Sequence, residues 1–459
     1  MPRPIVAIVG RPNVGKSTLF NRILRRRQAV VDDMPGVTRD RLAGETDWAG
    51  RRFLLVDTGG LLPDATRGMD ASVRKQVEAA LELAHVVLFT VDVEVGITSL
   101  DEQIARAVRQ SGRPVLLTAN KSDSENRALA AQDFAGLGFG EPYPVSALHG
   151  RGSGDLLDAV VAALPEEKGP ERDEEEGIRV AIIGRPNVGK SSLVNRLLGE
   201  ERMIVDDAPG TTRDAVDSRI TIDGQVFTLV DTAGLRRRTR IDTRTEFYSA
   251  VRAMQALDRA DVAVLMLDAS EPFGRQDYRI AGFVHAASKP AILAFNKWDL
   301  VGEKETMTAK RMEDSFRAHA IELTHAPALF LSTVSGQRVG RLAGLIRQVY
   351  AEARRQWPQS ELTAALRAAV DRQPPPSPPR GRQDLRAMVQ RGVNPLRFLI
   401  VATQPEALPV HYLRYLSRDL RERLGIAHAP LELRLSRPRK RYPAIISETP
   451  DRPAREPAS

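Results

Sequence analysis

The feature that most limits what this chain can fold into is a long-range repeat. Gly10-Arg11-Pro12-Asn13-Val14-Gly15-Lys16-Ser17 recurs as Gly184-Arg185-Pro186-Asn187-Val188-Gly189-Lys190-Ser191, an offset of 174 residues. Pro35-Gly36-Val37-Thr38-Arg39-Asp40 matches Pro209-Gly210-Thr211-Thr212-Arg213-Asp214, and Asp57-Thr58-Gly59-Gly60 matches Asp231-Thr232-Ala233-Gly234, at the same offset. Solenoid units run to roughly 20–50 residues, so a period this long means a duplicated domain. Each copy must bury its own core and carry its own site.

Inside each copy, β-branched or leucine-rich runs alternate with helical patterns. Residues 53–57, 86–92 and 115–120 read as buried strands, with helices at 103–109 and 156–164; residues 227–231, 262–268 and 291–296 repeat the strands. Such alternation implies an α/β domain with a mainly parallel sheet covered on both faces. Residues 165–177 are rich in Glu, Lys, Gly and Asp and read as a solvated linker. From about residue 353 the grammar changes. A helix at 361–370, a proline run at 374–379, strands at 385–389 and 397–402, a helical face of Leu413, Leu416, Leu420 and Leu424, and an alternating strand of Leu431, Leu433 and Leu435 describe a small α+β domain. The expected layout is a first domain at 1–165, an acidic linker at 166–177, a second domain at 178–352, a basic domain at 353–441, and a disordered tail at 442–459.

Composition narrows the function. Apolar residues are 42% and charged residues 27% of the 459, which suits a soluble globular protein. The longest apolar runs, such as 86–89 and 398–402, are too short to span a bilayer, and Ile5–Val9 follows Met1 too closely for a secretory leader. A cytoplasmic protein is expected. The absence of cysteine excludes disulfides, thiolate metal sites and cysteine nucleophiles, and the seven histidines are scattered. Residues 351–459 hold 20 Lys/Arg against 11 Asp/Glu, whereas residues 1–350 hold 47 against 48. The C-terminal quarter is therefore where a polyanionic partner is expected. A solvated basic domain in an arginine-rich chain is the plainer alternative.

The chemistry lies in the repeated motifs. Gly10–Ser17 and Gly184–Ser191 each follow a strand and precede a helical run, at 18–24 and 192–198, which is the context of a P-loop. Glycines let the backbone wrap a phosphate, and consecutive N–H groups at a helix N-terminus stabilise its charge. Lys16 and Lys190 would reach the β and γ phosphates, and the Ser17 and Ser191 hydroxyls would coordinate Mg²⁺. Asp57 and Asp231 each stand 41 residues after those lysines, where a carboxylate can bind Mg²⁺ through water and the Gly60 or Gly234 amide can sense the γ-phosphate. Thr38 and Thr212, in loops between the two motifs, could add a hydroxyl to Mg²⁺ or be ordinary loop residues.

Asn120-Lys121-Ser122-Asp123 and Asn296-Lys297-Trp298-Asp299 form the base-specific element. One carboxylate, on Asp123 or Asp299, accepts from both N1–H and the N2 amine of guanine. Adenine lacks both donors and would leave a buried carboxylate unpaired, a discrimination of about 10⁴-fold. Asn120 and Asn296 could reach the other edge of the base, with the Lys stems lying over it. Four of the chain's ten lysines fall in these motifs, which composition alone would not arrange. Ser146-Ala147 would present a backbone amide to O6; the second copy has Ser332-Thr333 instead.

P-loop, threonine loop, Asp-x-x-Gly, Asn-Lys-x-Asp and Ser-Ala, in order and twice, resemble the translation-factor-related GTPases. Tandem copies followed by a small basic domain resemble the bacterial double-GTPase family Der, also called EngA. The resemblance spans residues 3–440 and includes Asn394-Pro395-Leu396-Arg397-Phe398 and Tyr412-Leu413-Arg414-Tyr415-Leu416. It implies two GTP sites, made in the first copy by residues 10–17, Asp57, Thr58, Gly59, Gly60, Leu61, Asn120, Lys121, Ser122, Asp123, Ser146 and Ala147. Their second-copy counterparts are residues 184–191, Asp231, Thr232, Ala233, Gly234, Leu235, Asn296, Lys297, Trp298, Asp299, Ser332 and Thr333. It also implies Lys16, Thr38, Gly60, Lys190, Thr212 and Gly234 as the catalytic set, Mg²⁺ as cofactor, a KH-like third domain, and a monomer acting in assembly or stability of the large ribosomal subunit. The C-terminal segment has no Gly-x-x-Gly, the usual KH clamp on nucleotides, so protein or backbone contact stays open there.

Leu61 and Leu235 stand where many GTPases place a water-orienting Gln, so slow turnover is expected. Related GTPases with the asparagine found at Asn13 and Asn187 use potassium, which an amide oxygen beside the phosphate bridge suits; bonding within the loop is the alternative. Three functions compete: a GTP-hydrolysing switch on ribosomal particles, a GTP-dependent ribosome- or RNA-binding scaffold with negligible hydrolysis, and an ATP-driven nucleic-acid remodeller. Both Asn-Lys-x-Asp elements oppose the third.

Overall fold

A computed structural model describes residues 3–28, 43–58, 77–78, 80–166, 177–199, 217–232, 245–302, 305, 307–376 and 381–438. Thr38, Gly59, Gly60, Leu61, Thr212, Ala233, Gly234 and Leu235 lie outside the described residues, as do most of the linker and the tail. The chain forms two compact units. The first is Met1–Glu174 with Arg237–Arg259, and the second is Glu175–Arg236 with Ala260–Ser459.

In the first unit, β1 (Ile5–Val9), α1 (Lys16–Gln28), β2 (Ala43–Trp48), β3 (Arg51–Asp57), β4 (Val86–Asp92), α2 (Ser99–Gln110), β5 (Val115–Asn120), α3 (Glu125–Ala130), β6 (Tyr143–Pro144) and α4 (Ser153–Ala163) follow in order. The sheet runs β2-β3-β1-β4-β5-β6, parallel except for β2 against β3. Alternation along β1 divides the core. Val6 and Ile8 pack with Leu19, Phe20 and Ile23 of α1 and Leu156 and Val160 of α4, whereas Ala7 and Val9 pack with Ile104 and Val108 of α2. The expected two-sided α/β domain is present. The antiparallel edge was not read, because Ala43–Trp48 carries Gly, Glu, Thr and Asp and shows no apolar run.

The second copy has β7 (Ile178–Ile183), α5 (Lys190–Gly199), β8 (Ser218–Ile222), β9 (Gln225–Val230), α6 (Thr245–Arg259), β10 (Val262–Asp268), α7 (Arg275–Ala286), β11 (Ala291–Asn296), α8 (Thr308–Arg317), β12 (Ala328–Phe330) and α9 (Arg341–Ala353). Its sheet order, β12-β11-β10-β7-β9-β8, reproduces the first, again with one antiparallel edge pair. Of these elements α6 belongs to the first compact unit, where the backbone N and Nε of Arg3 donate to Asp258 Oδ2 at 3.1 and 2.9 Å. Two expectations shift. Both P-loop helices start at the motif lysine, two residues earlier than their apolar periods suggest, and β9 ends at Val230, which leaves Asp231 beyond the strand with φ 59°.

The remaining elements are α10 (Gln359–Arg372), β13 (Leu385–Gly392), β14 (Leu396–Ala402), α11 (Val410–Leu424) and β15 (Leu431–Ser436). β14 pairs antiparallel with β13 and parallel with β15, and both helices pack on one face of the sheet around Leu366, Phe398, Ile400, Tyr412, Leu416 and Leu420. This core is separate from the one that includes Val180, Leu193, Val264 and Ile346 in the second copy. Among the described residues no helix is long and apolar enough to cross a membrane.

The three tryptophans, Trp48, Trp298 and Trp357, fall one in each sheet-bearing region. Leu416→Ala should therefore shift the unfolding transition reported by Trp357 by about 2–5 kcal/mol. Transitions reported by Trp48 and Trp298 should stay in place. Denaturant titrations of single-tryptophan variants check this, and a common shift at all three probes would contradict an independent core.

Candidate nucleotide sites

Both sites form at the C-terminal ends of central parallel strands, where an open α/β sheet leaves a crevice. The turn from β1 to α1 needs unusual backbone. Asn13 has φ 65° and Gly15 has φ 90°, and Asn187 and Gly189 repeat this at 62° and 99°. A Cβ on Gly15 would lie 2.3 Å from Asn120 Nδ2, so glycine is required both by conformation and by the asparagine packed against it. Val14 and Val188 are fully buried and pin the loop to the core.

The Lys16 ammonium donates to the Gly10 and Arg11 carbonyls at 2.9 and 2.7 Å; Lys190 does the same to Gly184 and Arg185 at 2.8 and 2.7 Å. Burial lowers both lysine pKa values to about 8, opposed at Lys16 by Asp57. Ser17 Oγ lies 2.6 Å from Asp57 Oδ2, so a hydroxyl and a carboxylate converge beside the phosphate loop. These are the hard oxygen donors that Mg²⁺ takes, and the first copy fits that ion. In the second copy the Asp231 N–H donates to Asp217 Oδ1 at 2.9 Å. Thr58 Oγ1 donates to Ile8 O at 2.9 Å, while Thr232 and Ser218 hydroxyls lie 2.8 Å apart.

On the base side, Asn120 Nδ2 donates to Val14 O at 2.8 Å and its Oδ1 accepts from Ala147 N at 3.0 Å. Asn296 does likewise with Val188 O at 2.7 Å and Thr333 N at 3.0 Å. The asparagines, expected to reach the base, are thus first of all ties between P-loop and base loop. Asn120 keeps one N–H for a base edge, whereas in the second copy Thr333 Oγ1 takes it at 3.2 Å. Asp123 and Asp299 are exposed, not buried as the adenine-exclusion argument assumed, because each sits beyond its strand end, Asp299 within the 3₁₀ turn Trp298–Leu300. Ser146 Oγ donates to Asp123 Oδ1 at 2.5 Å and so aims that carboxylate. Ser122 Oγ donates to Ala119 O at 3.0 Å; its counterpart Trp298 packs edge-on against Phe330 instead. Ser332 is fully buried, and its hydroxyl accepts from Ser335 N at 3.1 Å.

Sequence patterns did not single out Arg22 and Arg196. Arg22 Nε donates to Ala147 O at 2.9 Å, and Arg196 NH1 donates to Val334 O at 3.2 Å, so each anchors the base loop from the P-loop helix. Their 174-residue offset was the available signal.

Comparisons with known proteins agree with this geometry. A family model described as a 50S ribosome-binding GTPase matches residues 5–121 and 179–297, and one described as the KH-domain-like C-terminal part of EngA bacterial GTPases matches 356–435. The chain is 47% identical to GTPase Der of Moorella thermoacetica over 441 residues, covering 96% of this chain and 100% of that protein. It is 46% identical to GTPase Der of Desulforamulus reducens over 435 residues, covering 94% and 97%. The chain belongs to the GTPase Der family. As a Der-family protein it binds GTP and GDP and hydrolyses GTP. GTPases of this family generally use Mg²⁺.

Two outcomes are expected in Der-family terms. Thr333→Ala frees an Asn296 N–H for the nucleotide and should tighten GDP binding at the second site alone by about 1 kcal/mol, or several-fold, in calorimetry. Weaker or unchanged binding would remove this account of the difference between copies. The lysines give a pH dependence. Bound phosphates favour the ammonium, so affinity is full below pH 8 and falls as pH rises through about 8, by up to roughly tenfold per unit. Calorimetry from about pH 6.5 to about pH 9.5 checks it, and a flat profile would oppose it.

Proposed function

We propose that this chain is a GTP-driven switch in ribosome biogenesis, acting in the assembly or stability of the large subunit. The observation that carries the reading is the union of two full sets of guanine-nucleotide motifs with one basic domain. Its parts are a first GTPase domain at 1–165, an acidic linker at 166–177, a second GTPase domain at 178–352, a KH-like basic domain at 353–441 and a disordered tail at 442–459. The matched family's description as 50S ribosome-binding supports the partner. Exposed Arg382, Arg414, Arg418, Arg434 and Arg437 support electrostatic contact with rRNA phosphates, which needs no Gly-x-x-Gly clamp. Arg439, Lys440 and Arg441 continue that charge outside the described residues. The protein acts as a cytoplasmic monomer.

Residues 10–17 and 184–191 bind the phosphates, with Lys16 and Lys190 offsetting charge in the transition state. Ser17, Thr38 and Asp57, and Ser191, Thr212 and Asp231, hold Mg²⁺. Gly60 and Gly234 sense the γ-phosphate; Leu61 and Leu235 leave turnover slow. Asp123 and Asp299 read guanine, with the Ser146-Ala147 and Ser332-Thr333 amides at O6.

Sedimentation with ribosomal particles tests the switch. The full chain should pellet with large-subunit particles in GTP or a non-hydrolysable analogue and leave them in GDP. Asp123→Asn and Asp299→Asn should transfer that control, one site each, to xanthosine triphosphate. Removing residues 353–459 should flatten the salt dependence of binding. Equal pelleting in every nucleotide would refute the switch, and an unchanged salt slope would refute the basic domain's role.

Asn13 and Asn187 hold K⁺ beside the phosphate bridge; both are exposed in left-handed backbone of the loop, which supports this reading. Such a transition-state charge contact is worth about 10²–10³ in rate. Hydrolysis should run faster in potassium than in sodium at equal ionic strength, and Asn13→Ala should abolish the difference at the first site. Equal rates with both sites filled would dismiss the ion.

A further inference from the structure

Outside the recognised motifs, each copy holds one buried carboxylate flanked by two cations. Asp92 ends β4 and Asp268 ends β10, the strands that lie between the P-loop strand and the base-motif strand in their sheets. Each is in register with the motif asparagine, Asp92 with Asn120 and Asp268 with Asn296. Their side chains are 2% and 3% exposed.

The two oxygens of each carboxylate divide their work alike, although Asp268 Oδ1 also accepts from Ser270 Oγ at 2.6 Å and Arg185 NH2 also donates to Glu271 Oε2 at 2.5 Å. Oδ1 accepts from the backbone two residues on, Glu94 N at 3.0 Å and Ser270 N at 3.0 Å, which fixes the side-chain rotamer. Oδ2 takes the lysine of the base motif, Lys121 Nζ at 2.7 Å and Lys297 Nζ at 2.5 Å. It also faces the P-loop arginine, with Arg11 NH2 and Arg185 NH2 both at 3.7 Å. A second buried carboxylate, from the first turn of the following helix, takes the arginine's other side: Asp101 lies 3.3 Å from Arg11 Nε and Asp277 lies 3.5 Å from Arg185 Nε. The arginine nitrogens Nε and, in the first copy, NH2 lack aligned hydrogen bonds, so charge holds them in place. The lysines themselves are in left-handed backbone, at φ 66° and 61°, which turns their side chains back across the neighbouring strand end.

Such a carboxylate links two grips that the nucleotide uses separately. The lysine belongs to the base loop and the arginine to the phosphate loop, and Asp92 or Asp268 bridges them from the strand between. Hydrogen bonding to Asp92 raises the Lys121 pKa, and for Asp268 the bonds from Lys297 and Ser270 outweigh burial and lower its own. Both shifts accord with an ammonium–carboxylate pair. We propose that Asp92 and Asp268 are positioning residues that hold the Asn-Lys-x-Asp lysine and the P-loop arginine as one body, and so set how long each site retains its nucleotide. The inference rests on the assignment of the two GTP sites.

Release of a fluorescent GDP analogue from the full chain tests it, because each variant carries an unaltered site as its control. Asp92→Asn should speed release from the first site about tenfold or more with association unchanged, and Asp268→Asn should do so at the second site alone. Lys121→Met should speed release as well, and the double variant Asp92→Asn/Lys121→Met should be no faster than the faster single. Multiplying effects would mean that the aspartate does not act through the lysine, and unchanged release from both aspartate variants would also overturn the proposal. Normal release from the untouched site reports a folded chain; if Asp92→Asn does not fold, Asp268→Asn with Lys297→Met gives the same cycle. A wild-type chain that retained no guanine nucleotide would instead defeat the site assignment itself.

Discussion

A buried carboxamide packed against a glycine organises each nucleotide site. Asn120 fills the space where a side chain at residue 15 would lie, donates to the Val14 carbonyl and accepts from the Ala147 amide. Three loops from distant parts of the sequence are thereby set relative to one another before any phosphate or base is considered. Both polar ends of the amide are satisfied in a buried position, which makes the arrangement specific as well as stable. The left-handed loop residues, the buried lysine and the aimed Asp123 all take their geometry from that fixed point.

The duplication shows which parts of this design are constrained and which are free. Phosphate-loop geometry is nearly identical between copies, from the backbone angles to the two carbonyls that hold each lysine. The base side differs. Trp298 and the rings of Phe295 and Phe330 replace the small Ser122 environment, and Thr333 occupies an amide donor that Ala147 leaves available. The carboxylate region differs too, since Asp57 ends its strand and Asp231 lies past one. Two sites of one lineage thus carry different hydrogen-bonding capacity for the same ligand.

Much of this was legible in the sequence, and the physical reasons for the rest are specific. Buried parallel strands such as Val86–Asp92 and Val262–Asp268 are continuous apolar runs and betray themselves. The edge strands Ala43–Trp48 and Ser218–Ile222 do not, because one face meets solvent and propensity is weak. Motif spacing marked the loops expected to hold phosphate and base, but spacing says nothing of side-chain direction. Asn120 and Asn296 therefore turned out to tie loops together, and Asp123 and Asp299 turned out to be exposed. Arg22 and Asp92 lie in no motif, and only their recurrence as Arg196 and Asp268 distinguishes them from ordinary surface arginine and strand-end aspartate.

The helix Thr245–Arg259 bears on how such a chain could have arisen and how it can be divided. It lies between the phosphate and base motifs of the second copy yet groups with the first compact unit, and its Asp258 pairs with Arg3. Its buried Val251 and Met254 stand 174 residues after Val77 and Ala80, which line the core of the first copy. A cut at the linker would put Arg3 and Asp258 on separate fragments, so each would lose a part-buried ionic partner.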